Sequence, residues 1–301
     1  MAFDTIMVFE GQFKDHILPD QIHALSVSFL VPSMRKEFGG CAGNISYNLK
    51  LLGGNPTPVA TVGMDAQGYL QRLKSLDIRT NGISVVQDHF TAQCFITTDL
   101  KDNQLTAFHP GAMAVAADND LSALPGEWAI VAPDAKEAMF AHARRLKARG
   151  TPFIFDLGQA MPLFDRDDLC EMIEMTDVLT VNDYEAHIVK QRTGISMSDL
   201  SFEKQAVIVT LADQGSVLWQ NGVATNIAPV KAEQVVDPTG CGDAYRAGLL
   251  YGVSNGWMWE KSCQLASLMG SIKVGYRGPQ NHAPSRDDIA ERLYKAYGID
   301  F

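Results

Sequence analysis

Val235-Val236-Asp237-Pro238-Thr239-Gly240-Cys241-Gly242-Asp243-Ala244 reads as a strand end, a glycine turn, and a helix that opens with an aspartate in its first turn. The two glycines around Cys241 let the backbone approach a ligand closely, because no side chain stands in the way. The amides of Gly240, Cys241, Gly242 and Asp243 then lie at a helix N-terminus, where unpaired donors and partial positive charge gather. That geometry binds phosphate. A carboxylate there repels a phosphate at rest, but it has a use if Asp243 takes the proton from a hydroxyl that attacks the phosphoryl group. An aspartate that merely caps the helix has the same local appearance. Asp237 and Thr239 just upstream, a second carboxylate and a hydroxyl, weigh against capping alone.

At 301 residues the chain can bury a sizeable core, and one large α/β domain of this length is ordinary. Apolar residues make up 46% and charged residues 20%, a globular composition. The net charge of −10 repels polyanions, so nucleic acid is not an expected partner. No apolar run approaches the roughly 18 residues a bilayer span needs, and the start lacks a basic-then-apolar signal region. The five cysteines (41, 94, 170, 241 and 263) form no Cys-x-x-Cys pair and fit a reducing cytoplasm.

From about Phe38 onward, short apolar runs alternate with helical patterns, which predicts βα units around a mainly parallel sheet. Strands are expected over 58–63, 127–132, 152–156, 177–181 and 206–211, with helices at 44–52 and 135–148 among the intervening segments. Residues 9–38 and 82–108 differ, with alternation and turn residues but no helical period. Phe95 to Asp99, a polar turn, and Leu105 to Phe108 read as a hairpin.

The opening run closely resembles the Asp-Thr-x-Gly-Ala-Gly-Asp signature of the ribokinase (PfkB) family of carbohydrate and nucleoside kinases, with Pro238 in place of the Thr and Cys241 in place of the Ala. The resemblance implies an α/β fold: a ribokinase-like three-layer α/β/α domain with a mainly parallel central sheet and a small β-sheet lid. It puts residues 1–7, 39–82 and 109–301 in the large domain and 8–38 and 83–108 in the lid. It also implies Asp243 as general base and the Gly240, Cys241, Gly242 and Asp243 amides as an anion hole.

Further motifs carry the resemblance. Gly39-Gly40-Cys41-Ala42-Gly43-Asn44 is similar to the family's Gly-Gly-x-x-x-Asn, which places Gly39, Gly40 and Asn44 against the sugar, although a double glycine before an Asn cap is also ordinary structure. Asn182-Asp183-Tyr184-Glu185 matches Asn-x-x-Glu, implying a role with Mg²⁺ through water for Glu185, although the same spacing makes a capping box. Val209 to Gly215 resembles an ATP-lining Val-Thr-x-Gly-x-x-Gly with Ala212 at the first glycine, implicating Thr210 and Gly215. The 273–282 stretch resembles the adenine-side loop, implicating Gly278 and Asn281. In several members this loop and the Asp237–Thr239 region hold K⁺.

Phe3-Asp4 resembles the end of the family's opening strand motif, whose aspartate grips two sugar hydroxyls. Met1 falls only three residues before Asp4, so a central strand is expected to be missing. Phe108-His109-Pro110-Gly111 and the 276–282 run look most like the bacterial adenosine kinase branch. An apolar slot for a base is expected from Phe9, Phe13, Phe95 and above all Phe108, although these rings could equally hold the small sheet together. The expectation is therefore an ATP- and Mg²⁺-dependent kinase for the 5′-hydroxyl of a ribonucleoside, adenosine first. It would act as a cytoplasmic monomer or homodimer with no membrane partner. The alternatives are a kinase for ribose, fructose or a sugar phosphate, and a nucleotide-binding regulator without turnover. A NAD-linked oxidoreductase is disfavoured, because no acidic residue follows a Gly-x-Gly-x-x-Gly at ribose-binding distance.

Overall fold

Alternation governs the first third of the chain. A computed structural model describes residues 1–17, 26–101 and 103–301. The small sheet begins with β1 (Ala2–Val8), which pairs antiparallel with β2 (Ser33–Gly39), Asp4 facing Glu37. After it come α1 (Cys41–Leu51), β3 (Ala60–Gly63), α2 (Gln67–Ser75), β4 (Ile83–Val86), β5 (Ala92–Thr98) and β6 (Gln104–His109). β5 lies parallel to β1 and antiparallel to β6, which gives the order β2-β1-β5-β6. Asp99 shapes the β5–β6 turn by accepting from the amides of Lys101 and Asn103; against burial, the Asn103 side chain first and then the Phe13, Lys101 and Asn103 amides hold its carboxyl down at about 2.

The pairing moves two of the expected boundaries. Residues 2–7, expected in the large domain, belong to the small sheet together with Val8, because their edges are satisfied by β2 and β5. Residues 83–86, expected in the lid, pair parallel with β3 instead. Of the expected lid stretch 8–38, residues 18–25 lie outside the described residues. The phenylalanines divide as well. Phe9 and Phe13 cluster with Phe29, their ring centroids 4.8 to 5.9 Å apart, so they hold this region together. Phe95 pairs across from Thr5 and so points to the face opposite Asp4.

The rest of the chain alternates as expected: β7 (Ala129–Val131), α3 (Lys136–Arg149), β8 (Phe153–Asp156), α4 (Arg166–Met175), β9 (Val178–Asn182), α5 (Asp183–Thr193), α6 (Met197–Leu200) and β10 (Ala206–Thr210). A hairpin of β11 (Ser216–Gln220) and β12 (Val223–Ile227) follows, then α7 (Cys241–Ser254), α8 (Trp259–Val274) and α9 (Arg286–Tyr297). β7 to β10 are parallel and β11 and β12 close the sheet antiparallel.

Successive strand residues face opposite layers, which gives the sheet its two cores. Ile154, Val178, Ala206 and Ile208 pack against α1, α7, α8 and α9. Phe153, Phe155, Leu179, Val181, Val207 and Val209 pack against α3, α4 and α5. Burial on both faces explains why these strands read as unbroken apolar runs. β8, β9 and β10 end on one edge at Asp156, Asn182 and Thr210, where ligands gather in such sheets.

The β3–β4 pair is not bonded to this six-stranded sheet. A cleft of about 730 Å³ is lined in part by Met1, Val59, Ala129 and Ile130.

Helix α7 is placed by a close crossing with α8. A Cβ on Gly248 would lie 2.6 Å from Ala266 Cα and 2.8 Å from its nitrogen, both backbone atoms that cannot rotate away. Gly248→Val should therefore cost about 1–3 kcal/mol of stability. Urea unfolding should show a lower midpoint with an unchanged slope.

Candidate active site

Helix α7 begins at a residue that only glycine adopts without strain. Gly240 has φ 82° and ψ 4°, and it hands the chain from the Asp237–Thr239 turn to the first helical amides. The Cys241 amide closes the turn on the Pro238 carbonyl 3.1 Å away, which removes it from the expected anion hole. The amides of Gly242 and Asp243 remain in the first turn, beyond the reach of any intrahelical carbonyl. Asp237 ties this turn to the chain after α8. Its carboxylate accepts from the Thr239 and Gly278 amides, each at 2.9 Å, and its carbonyl accepts from the Lys273 ammonium at 2.6 Å.

Asp243 is held by a chain of side chains. Asn44 Nδ2 donates to Asp243 Oδ2 at 2.8 Å, and Gln280 Nε2 donates to Asn44 Oδ1 at 2.9 Å and to the Tyr69 hydroxyl at 2.8 Å. Tyr69 in turn donates to the Gly39 carbonyl at 2.8 Å. The alternative reading of Asn44 as a helix cap does not hold: Gly40 is the cap of α1, and Asn44 lies in the first turn, aimed at Asp243. Desolvation raises the Asp243 carboxyl from 3.8 to about 6; the Asn44 bond opposes this, the Asp156 charge adds to it, and Arg246 opposes it.

Asp4 faces the same space from the small sheet. A Cβ on Gly39 would stand 2.3 Å from Asp4 Oδ2, so the glycine is what lets this carboxylate lie against the backbone leading into α1. Burial, then the charges of Glu37 and Asp237, raise Asp4 to about 6. Cross-strand register puts Asp4, Glu37, Cys94 and Phe108 in one row on one face of the sheet, with Ile6 and Ile96 in the next. Phe108 is 52% exposed there. Asn281, expected at the adenine side, donates to Glu37 at 2.9 Å and to the Arg277 carbonyl, and so bridges the loop to the small sheet.

At the sheet edge, Asn182 and Glu185 form a reciprocal capping box, with Glu185 6% exposed. Thr210 ends β10 and its hydroxyl donates to the Val181 carbonyl. Ala212, in place of the family's glycine, takes φ 51°, a strained value for a residue with a Cβ. Gly215 has φ 90°, and a Cβ there would meet the Ile227 carbonyl oxygen at 2.2 Å.

Sequence reading missed the residues that hold the others. Arg246 is 6% exposed and grips Asp156 with Nε and Nη2 at 3.1 and 3.0 Å. Its third nitrogen, Nη1, lies 3.6 Å from where a Cβ would stand at Gly242. Tyr69, Gln280 and Lys273 are likewise buried. The available signal was a basic residue inside an apolar helical run, at Ala244-Tyr245-Arg246-Ala247 and at Ser271-Ile272-Lys273-Val274.

A model of the pfkB family of carbohydrate kinases matches residues 5–286. The nucleoside kinase of Methanocaldococcus jannaschii is 33% identical over 273 residues, 90% of each chain. The solved structure of Burkholderia thailandensis nucleoside kinase with inosine superposes with a TM-score of 0.90 at 46% identity, covering 99% of this chain and 96% of that one. The same enzyme's structure with ADP and inosine gives a TM-score of 0.87 at 48% identity, covering 99% and 94%.

The raised Asp243 carboxyl predicts a stability cost. Its folded value of about 6 lies above its ordinary 3.8, so folding favours the protonated form and stability falls as pH rises between the two. Asp243→Asn, which does not titrate, should gain about 1–3 kcal/mol at pH 8 and nothing at pH 3. Denaturant melts at both pH values read this directly.

Proposed function

The chain belongs to the pfkB family of carbohydrate kinases, and we propose that the acceptor it phosphorylates with ATP is a purine ribonucleoside, taken at its 5′-hydroxyl, with adenosine the first candidate. The observation that carries this reading is the placement of two raised carboxylates, Asp243 at the amide-lined start of α7 and Asp4 on a sheet face shared with Phe108. Asp4 suits a sugar diol, because an ionised carboxylate accepts from two hydroxyls. Phe108, Ile6, Cys94 and Ile96 offer a largely apolar face to a flat base, which a bare sugar would not use. The inosine bound to the Burkholderia thailandensis relative favours a purine and makes inosine the second acceptor to test.

In this reading Asp243 takes the proton of the 5′-hydroxyl as its oxygen bonds to the γ-phosphorus and the bond to the ADP oxygen breaks. The Gly242 and Asp243 amides and Arg246 Nη1 face the oxygens on which charge gathers. Asn44 keeps the Asp243 carboxylate aimed while donating to it. Magnesium bound with the nucleotide would neutralise phosphate charge. Glu185 and Asn182 fit an ion held through its own waters, since each Glu185 oxygen accepts one hydrogen bond from Asn182 and keeps a lone pair free.

ADP release with Mg·ATP should depend on adenosine or inosine and exceed that with ribose or fructose 6-phosphate. Asp243→Asn should lower kcat by about 1000-fold or more, the combined loss of base and orientation. Turnover with a sugar alone would keep the base and discard the acceptor; full activity in the variant would discard the base.

A second test is pH. The base works ionised, so kcat/KM should be flat above about 7 and fall about tenfold per unit below the Asp243 value of about 6. A plateau extending to pH 4.5 would remove Asp243 from the role.

A further inference from the structure

Lys273 is fully buried, yet it forms no ion pair among the described residues. Its ammonium donates to two backbone carbonyls, Asp237 at 2.6 Å and Tyr276 at 3.1 Å. Burying an ammonium without a carboxylate is costly, and here only the bonds to the two carbonyls offset that cost. The two carbonyls belong to the two chain segments that form the site: the turn into α7 and the loop from α8 that carries Gly278, Gln280 and Asn281. Asp237 joins them a second time, through its carboxylate to the Gly278 amide. The backbone of both segments therefore converges on one positive charge.

Converging carbonyl oxygens are also how a protein holds potassium, replacing the ion's hydration shell. The family resemblance placed a potassium ion at Asp237 and Thr239. The residues present do not fit one, because the Asp237 carbonyl points at an ammonium that already fills the space between it and Tyr276. Neighbouring His282 agrees with a fixed charge here: burial first, and then Lys273, push it down to about 4, so it adds no second cation.

We propose that Lys273 is a tethered monovalent cation, which replaces a free potassium ion in holding the turn before α7 against the 276–281 loop. It is a positioning residue. It acts through the Asp237 and Tyr276 carbonyls on the turn that presents the Gly242 amide and Asp243. The enzyme is accordingly independent of added potassium, and shortening Lys273 converts it into one that requires the ion.

The test compares wild type, Lys273→Ala and Lys273→Met in KCl, NH₄Cl and choline chloride at equal ionic strength. Two readouts are used: melting temperature without substrates, and nucleoside-dependent ADP release. Wild type should show the same melting temperature and turnover, within twofold, in all three salts. Lys273→Ala should lose about 10- to 1000-fold in kcat in choline chloride. KCl or NH₄Cl should restore most of that loss and raise its melting temperature by about 3 °C or more. Lys273→Met, which fills the space without a charge, should be impaired and respond to neither cation.

A wild type activated several-fold by K⁺ would overturn the proposal, as would an alanine variant at full activity in choline or one whose melting temperature and turnover ignore K⁺. If the alanine variant does not fold, the wild-type salt comparison and the methionine variant still decide. The inference rests on the kinase reading for its turnover readout alone. If wild type transfers no phosphate to any acceptor, that reading fails while the K⁺-dependent melting shift still tests the cation site.

Discussion

The geometry of the site depends on where helix α7 starts, and Asp237 sets that start. One residue accepts from the Thr239 amide, the Gly278 amide and the Lys273 ammonium. These bonds hold a turn whose last residue, Gly240, lies in the left-handed region. The free amides of the first helical turn, the direction of Asp243 and the position of Arg246 all follow from this, because each is a fixed number of residues further along a rigid helix. Halfway along, the same helix is held by the Gly248 crossing with α8, so its start and its middle are both fixed.

The second constraint is charge. Asp4, Glu37, Asp156, Glu185, Asp237 and Asp243 lie about a site expected to receive a polyanion, in a chain of net charge −10. Two buried cations make this tolerable. Arg246 neutralises Asp156 with a two-pronged bond, while Lys273 serves the turn. Asp4 and Asp243 have no such partner, and both are pushed up to about 6 by burial first of all. Those two face the space between the small sheet and α7, where a hydroxyl-bearing acceptor would lie.

Legibility in the sequence followed locality. The βα alternation, the β5–β6 hairpin and the turn before α7 were readable, since each depends on residues within about a dozen positions. The Asn182–Glu185 spacing was readable too, but it admitted two meanings, and the structure shows the capping box while leaving each Glu185 oxygen a lone pair. The partner of β1 was not readable. Seven alternating residues fit either sheet, and they joined β2 and β5 because those strands offered open edges. Nor was the true partner of Asn44 readable, since Asp243 lies 199 residues away and Gln280 farther still.

By itself the sequence determined the order of layers, the glycine turn with its aspartate, and the residue types available to hold a phosphate and a diol. Local backbone preference and side-chain period are written into short stretches, so these features need no knowledge of the rest. Tertiary structure alone decided which of six carboxylates stay unpaired, that Lys273 rather than a free ion meets the Asp237 carbonyl, and that Phe108 shares a face with Asp4 while Phe95 does not. Those outcomes depend on desolvation and on contacts between distant segments, and neither exists until the layers have packed.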